Sequence, residues 1–369
     1  MRPILIALLL AAPATAGVYS PTDDFIFEID GQGFARPVQF GGGFEIFLNN
    51  TRAVAIEKAG EPVNHHRAAA LDRIRTRKAK GVPNLTPEEL AGYTADLIRA
   101  GRGDEALNLL QPLTRGRRAG FIPYAHLARA HAGRGEWREA ADQQSVALRD
   151  VDFPEKFGRL SPEQLRWLKR VERDYYLPLL AHRADEARFT RGGSAPEDVD
   201  PLFPPVPPPR RPTDPVRFEE PNGDYKPGSM PEAERKKLPP DALAIVQQLV
   251  LWHPQDARLY WLLGELYNAE GEVEAAAKIM DECAFVMGYR SPVLRKHKLI
   301  LQDAASTQAK TRAEEAAKAQ AAQAAEAQAA RDAERDYQKR KWWIIACAVG
   351  LGVLLVYYQA REVVRRFRR

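Results

Sequence analysis

The feature that most constrains this chain is a run of seventeen uncharged residues near its C-terminus, residues 342–358. A tryptophan pair opens the run and a tyrosine pair closes it, and such rings are typical of the two headgroup interfaces of a bilayer. As a helix the run covers about 25 Å, or nearer 30 Å with the next two residues. We therefore predict a transmembrane helix over residues 342–360. The alternative is a buried core helix, which the basic residues on both sides of the run disfavour.

The N-terminus has the layout of a secretory signal peptide. Arg2 precedes a run of nine apolar residues, and Ala14 and Ala16 place small side chains at the positions that a signal peptidase reads. Nine residues are too few to span a bilayer, which needs about 20. We therefore predict a signal peptide over residues 1–16, with an uncleaved N-terminal anchor as the alternative.

Two features predict the orientation of the span. A cleaved signal leaves the new N-terminus outside the cytoplasm, and five arginines follow the span in a basic tail, residues 361–369. We expect a single-pass protein of a bacterial cytoplasmic (inner) membrane, with its body outside the cytoplasm and its tail inside.

Arg2 and the residues after the span account for the whole formal net charge of +5. Residues 3–341 therefore give no electrostatic reason to expect nucleic-acid binding.

No sequence motif indicates catalysis. The 2 cysteines exclude a disulfide framework and a zinc ribbon. His65 and His66 are the only histidine pair, and neighbouring helical residues point about 100° apart, so the two rings cannot comfortably ligate one ion. The HExxH, CxxC and GxSxG motifs are absent. We expect a chain that is not an enzyme and binds no cofactor or metal; an enzyme with an unrecognised site is the remaining alternative.

The middle of the chain repeats with a period of 34 residues. Ala106 and Ala140 are 34 residues apart, and so are Ala242 and Ala276. The clearest copy covers residues 257–290, and its characteristic positions are Leu263, Gly264, Tyr267, Gly271 and Ala276. These spacings resemble those of the tetratricopeptide repeat (TPR) family, whose 34-residue unit is a helix–turn–helix. Weaker copies begin near residues 87 and 121, and half a copy precedes the clearest one.

The TPR resemblance covers residues 85–150 and 240–290, about a third of the chain. It implies a mainly α fold of antiparallel helix pairs in two blocks, residues 57–190 and 241–301. In the clearest copy, Gly264 lets two helices approach closely and Gly271 makes the turn between them. The alternative is a set of generic helical hairpins without a repeat.

Three other segments are set apart by composition. Half of the 28 prolines lie between residues 196 and 240, which predicts an extended spacer over residues 191–240 that separates the two blocks. Residues 302–341 are rich in Ala, Gln and Glu and predict a helical stalk, with disorder as the alternative. They lack a Leu or Ile heptad, which argues against a tight coiled coil. Period-two alternation at residues 25–30 and 44–48 predicts a small β-hairpin within residues 17–56.

The TPR resemblance also implies a groove for a protein or peptide partner, lined by the first helix of each repeat. By register, this groove presents Arg99, Arg129, Arg258, Trp261, Glu265 and Asn268. Arg and Asn can hold a carboxylate or a peptide backbone, and Trp supplies an apolar anchor. The implied function is a scaffold or adaptor in a cell-envelope complex. The alternatives are ordinary solvated side chains at these positions, or a structural element that forms homo-oligomers through its repeats and stalk.

Overall fold

The computed structural model describes residues 19–23, 25–56, 63–115, 119–189, 199–206 and 214–367. The chain divides into two compact units, Met1–Ala305 and Ser306–Arg369. It is mainly helical and has one small sheet, as predicted. The predicted signal peptide lies outside the described residues.

The N-terminal sheet consists of two short antiparallel strands, β1 (Glu28–Ile29) and β2 (Ala35–Arg36). Asp30 closes the turn between them, because its Oδ1 accepts hydrogen bonds from the backbone N–H groups of Gln32 and Phe34, both at 2.9 Å. The hairpin is therefore complete by residue 36 and needs no strand further along the chain.

The prediction of a strand over residues 44–48 was wrong. These residues belong to a π-helical turn, Phe40–Phe44, and to helix α1 (Glu45–Ala55). Phe44 and Leu48 are both buried, and a spacing of four residues places them on one face of a helix. The helical spacing therefore outweighed the period-two pattern of the same apolar residues.

The first block continues with seven helices. They are α2 (His65–Lys80), α3 (Pro87–Arg99), α4 (Gly103–Thr114), α5 (Phe121–Gly133), α6 (Trp137–Arg149), α7 (Pro162–Val171) and α8 (Leu177–Phe189). From α3 to α6 each helix packs on the next, and α6 also packs on α8. The sequences that begin at Thr86 and Ser161 predict capping boxes followed by Pro at the first helical position. Both residues form complete capping boxes at the starts of α3 and α7, which confirms these helix starts.

Helices α7 and α8 are joined by a π-helical turn, Glu172–Tyr176. Proline is expected to kink or end a helix, whereas Pro178 is the second residue of α8 and the helix continues to Phe189. Proline lacks an N–H group, so a helix tolerates it where a π-helical turn has already shifted the hydrogen-bond ladder.

The second block is built from α9 (Glu232–Arg235), α10 (Ala242–Trp252), α11 (Ala257–Ala269), α12 (Val273–Asp281) and the start of α13 (Pro292–Phe367). Helices α11 and α12 approach closely at Gly264, as predicted. A Cβ atom on Gly264 would lie 2.8 Å from Cγ of Met280 and 3.6 Å from the carbonyl oxygen of Ala276. A larger residue at position 264 would therefore push the two helices apart.

Three helix pairs share one turn geometry. The turns after α3, α5 and α11 contain Gly101, Gly135 and Gly271, with φ values of 75°, 76° and 87°. The residue after each glycine donates its N–H to the carbonyl five residues earlier, which is the bond of a Schellman C-cap. Gly101 and Gly135 are 34 residues apart, the spacing of the predicted repeat.

The two blocks share one continuous hydrophobic core. The ring of Tyr176, between α7 and α8, lies 5.5 Å from the ring of Trp252 at the end of α10. Asp241, just before α10, accepts a hydrogen bond from Nε1 of Trp167 at 2.7 Å and another from Arg170. The blocks therefore stabilise each other directly.

The described residues of the predicted spacer, 199–206 and 214–240, do not form a free linker. Leu202 and Phe203 are buried, and the Phe203 ring lies 5.7 Å from that of Tyr175. Phe218, Tyr225 and Met230 are buried as well. Proline removes N–H donors and so leaves only the four-residue helix α9 in the described part of this segment, but it does not prevent the segment from packing on helices formed elsewhere.

The C-terminal unit consists of the rest of helix α13. The helix predicted for residues 302–341 is present, and every described side chain from residue 309 to residue 358 is exposed. Among the described residues one helix, over Pro292–Tyr358, is long and apolar enough to cross a membrane. Its apolar window has a mean hydropathy of 1.7, and none of that window is buried.

Candidate functional site

The six residues that the TPR register placed in a groove fall into two groups. Arg99, Arg129 and Arg258 line an open cleft with a volume of about 760 Å³, which we call the arginine cleft. Trp261 and Glu265 are fully buried in α11, and Asn268 is almost fully buried. Glu265 and Asn268 lie beneath residues 214–231 of the same chain, which we call the covering segment. Three of the six predicted groove residues therefore line an open cleft, and the other three are buried inside the protein.

The arginine cleft is formed where the two blocks meet. Its walls are the C-terminal ends of α3 and α5, helix α8, and the corner between α10 and α11. At its edge Arg134 and Gln255 are exposed, while Ile98 and Trp137 are half-buried. The edge therefore offers hydrogen-bonding groups next to apolar surface.

Arg129 is buried at the floor of this cleft. Its Nη2 donates to Oε1 of Glu172 and its Nη1 donates to the carbonyl of Ala125 at 3.1 Å. The guanidinium also lies 4.2 Å from the centre of the Trp252 ring. Burial acts to lower the pKa of Arg129, but the Glu172 carboxylate outweighs it and the pKa is raised. Arg129 therefore stays a cation inside the protein.

Arg183 and Arg258 meet at the carboxylate of Asp200. Nη2 of Arg183 donates to one Asp200 oxygen at 2.6 Å, and Nη2 of Arg258 lies 2.6 Å from the other. Arg183 also binds Asp256, and Arg258 binds Glu186. Asp200 belongs to the predicted spacer, so that segment supplies the carboxylate that pairs with two arginines of the cleft.

His182, Glu186 and Asp200 lie close enough together to be considered as metal ligands. Arg258 already binds both carboxylates, and Arg183 binds Asp200 as well. Burial acts to raise the pKa of Glu186, but hydrogen bonds from His182 and Arg258 lower it to about 2. Two cations thus hold the positions that a metal ion would need, and the cluster is an ion-pair network.

Arg99 is another buried cation that lines the cleft. It donates to the carboxylate of Asp23, and its Nη1 lies 3.9 Å from Oδ1 of Asp96. Burial raises the pKa of Asp23 to about 7, against the opposing effect of Arg99. Asp96 also accepts hydrogen bonds from Arg73 and Arg77, so α2 and α3 are tied together behind the cleft.

Trp261 is an internal packing residue. Its Nε1 donates to Oε1 of Glu265 at 2.8 Å, and its ring lies 6.0 Å from that of Tyr289. Glu265 accepts two further bonds, from the hydroxyl of Tyr225 at 2.8 Å and from Nδ1 of His297 at 2.6 Å. Both side chains are fully buried and are therefore inaccessible to a partner in this structure.

Asn268 holds a peptide backbone, as the sequence suggested, but that backbone belongs to this chain. Its Oδ1 accepts a hydrogen bond from the N–H of Gly228 at 2.6 Å. Its Nδ2 donates to the carbonyls of Lys226 at 3.1 Å and Ser229 at 3.2 Å. One amide side chain thus satisfies three backbone groups of the covering segment.

Several residues of both sites were missed at the sequence level. His297, Glu219, Glu172 and Asp200 have no motif around them, and they meet their partners only through the tertiary fold. One feature of the sequence indicated that the proline-rich stretch packs on the protein. Phe218 and Tyr225 are large aromatic residues, which are uncommon in a solvated linker.

Comparison with protein-family models, with curated proteins and with solved structures finds no match to this chain. The functional assignment therefore depends on the geometry of the arginine cleft and of the inner face of α11.

Proposed function

We propose that this chain is a membrane-anchored scaffold of the TPR type that holds a protein partner outside the cytoplasm. The observation that carries the proposal is the open arginine cleft of about 760 Å³, formed between packed helix pairs. The TPR assignment is supported by the shared glycine turns after α3, α5 and α11 and by the close approach of α11 and α12 at Gly264.

The chemistry of the cleft suits a segment of another protein. Arg134 and Gln255 are exposed at the edge of the cleft, where their N–H groups can donate hydrogen bonds to carbonyl or carboxylate oxygens of a partner. At the edge, Trp137 and Ile98 offer an apolar surface to a partner side chain.

The location follows from the span and the predicted signal peptide. We expect a single pass through the cytoplasmic membrane, with the basic tail on the cytoplasmic side. Protease added to intact spheroplasts should digest a tag placed at residue 20 and leave a short C-terminal fragment intact. Protection of the whole body would instead indicate a cytoplasmic adaptor anchored by its tail.

Partner binding is tested by photo-crosslinking from the edge of the cleft. A benzophenone amino acid at Gln255 should form a discrete adduct with one protein, and the same group at Arg149, an exposed residue away from the cleft, should not. The double change Arg134→Ala with Trp137→Ala should remove the adduct in a protein that still folds. Equal labelling from both positions would contradict the proposal.

A structural element that self-associates is the second candidate, and one observation favours it. The alanine-rich residues 309–341 form an uninterrupted helix with every side chain exposed, which leaves a long surface for a second copy. Deleting residues 303–337 and measuring the mass of the protein in detergent separates the two candidates. Loss of an oligomer on deletion favours self-association, and an unchanged number of subunits favours the scaffold.

A further inference from the structure

The inner face of α11 carries a second surface, which the arginine cleft does not include. We define the α11 groove by Glu265, Asn268 and His297. We infer that this groove is a binding site for an extended, tyrosine-containing peptide, which the covering segment occupies within the chain and a partner segment of the same chemistry occupies by competition. The inference goes beyond the proposed function, because it concerns a different surface.

The contacts in the α11 groove are those of peptide recognition. Asn268 pairs with two carbonyls and one N–H of the covering segment, so it recognises backbone without regard to side chains. One side chain is read in addition. The Tyr225 ring stacks on His297 with the ring centres 3.7 Å apart and 11° between the planes, and its hydroxyl reaches Glu265. The groove therefore selects a tyrosine three residues before a glycine, since Gly228 approaches Gly271 with a φ of 74°.

The covering segment is held less firmly than the helix beneath it. In α11 every residue from 259 to 269 is buried, whereas the covering segment buries only Phe218, Tyr225 and Met230. Its remaining residues are half-buried or exposed. A segment with few buried apolar contacts opens at a lower free energy than the core does. The covering segment can therefore leave the α11 groove without unfolding α11.

His297 gives this docking a dependence on pH. Its Nδ1 faces Glu265 of α11 at 2.6 Å and its Nε2 faces Glu219 of the covering segment at 3.0 Å, so both ring nitrogens can donate only when the ring is protonated. The other titratable groups at this point are Tyr225, stacked on the ring, and Lys296, which donates to Glu219 at 2.8 Å. Burial acts to lower the pKa of His297, but the two carboxylates outweigh it and raise the pKa.

A raised pKa fixes the sign of this effect. The protonated ring stabilises the docked segment fully below the ordinary histidine value of about 6.5, and this contribution is lost as pH rises through the raised pKa. We therefore expect the α11 groove to be closed under mildly acidic conditions and more accessible to a partner peptide at higher pH.

The test is peptide binding to the full chain in detergent. A fluorescent peptide with the sequence of residues 216–231 is titrated at pH 8 and followed by anisotropy. The double variant Phe218→Ala with Tyr225→Ala loosens the covering segment, so it should bind the peptide at least about tenfold more tightly than the unchanged chain. A peptide that carries alanine in place of its own tyrosine should bind neither protein.

A second pair of measurements keeps the result interpretable. Adding Asn268→Ala to the double variant should abolish peptide binding. Circular dichroism and tryptophan fluorescence measure whether both variants fold. If a variant does not fold, excess peptide should instead accelerate hydrogen exchange of residues 226–229 in the unchanged chain. Binding that is unaffected by Asn268→Ala, or no effect of the peptide on either protein, would overturn the inference. The photo-adduct at Gln255 is unaffected in either case, so failure here is separate from failure of the proposed function.

Discussion

Arg129 of the first block and Glu265 of the second each lie six residues before the glycine of the following turn, and these matching positions have opposite surroundings. In the first block, Arg99 and Arg129 line an open cleft. In the second block, Glu265 and Asn268 lie under the chain's own covering segment. Arginine is long enough to reach carboxylates on neighbouring elements and leave a cavity between them, whereas the shorter Glu and Asn need their partners brought to them. The position of a residue relative to the turn glycine thus predicts whether its side chain faces inward. The length of that side chain decides whether a cavity remains beside it.

The largest expected effect comes from breaking the floor of the arginine cleft. Arg129→Met leaves the fully buried Glu172 without its cation, and we expect the free energy of unfolding to fall by about 3–5 kcal/mol. Urea denaturation followed by tryptophan fluorescence measures this loss. Adding Glu172→Gln removes the unpaired charge and should recover more than half of it.

The exposed Arg149, paired with Asp150 on the surface, provides the matched control. Arg149→Met should leave the urea midpoint unchanged, because exposed ion pairs contribute little. If Arg129→Met were as mild as this control, the cleft would not depend on its buried ion pairs.

A smaller loss is expected from the covered side of the comparison. Asn268→Ala leaves three backbone groups of the covering segment without their partner, which we expect to cost about 2–3 kcal/mol. Hydrogen exchange of residues 226–229 should rise in the same variant. Arg217→Ala, an exposed change in the same segment, should alter neither measurement.

The turns at Gly135 and Gly271 test whether the two blocks have the same backbone structure, although the side chains on their inner faces differ. Gly135→Ala and Gly271→Ala each place a side chain at a positive φ, so each should cost about 1–2 kcal/mol, and the two costs should agree. Gly133→Ala is the matched control, because position 133 is helical and has nothing within 4 Å of an added Cβ atom. Thermal unfolding of the three variants compares them, and unequal costs at positions 135 and 271 would argue against a common repeat.

The smallest effect is the response to pH. As pH rises above about 6.5 and through the raised pKa of His297, exchange of the covering segment should increase relative to α11, because His297 loses the proton that its two carboxylates favour. His297→Gln should remove this dependence. An unchanged ratio in the original chain would show that His297 does not hold the segment.

Local signals in the sequence predicted much of this fold. Gly271 marked a turn that needs a positive φ, and Thr86 and Ser161 marked helix starts through short-range hydrogen bonds. The partner of such a signal lies within a few residues, so no knowledge of the tertiary fold is required.

The covering segment was missed because its partners lie far along the chain. Proline content describes only the local backbone, whereas Tyr225 contacts Glu265, 40 residues away, and Glu219 contacts His297, 78 residues away. The strand predicted at residues 44–48 failed for a related reason, since Phe44 and Leu48 fit both periods until the core they pack into is known. The partner, the homo-oligomer, the absence of nucleic-acid binding and the absence of enzymatic activity stay predictions.

The most direct test of the central claim is hydrogen exchange at the amide of Gly228 in the full chain. If the covering segment fills the α11 groove, this amide donates to Asn268 and should exchange at least about a hundredfold more slowly than in the free peptide. Asn268→Ala should remove that protection. Exchange of Gly228 at the rate of the free peptide would contradict the account, because residues 214–231 would then be a linker and the inner face of α11 would be open.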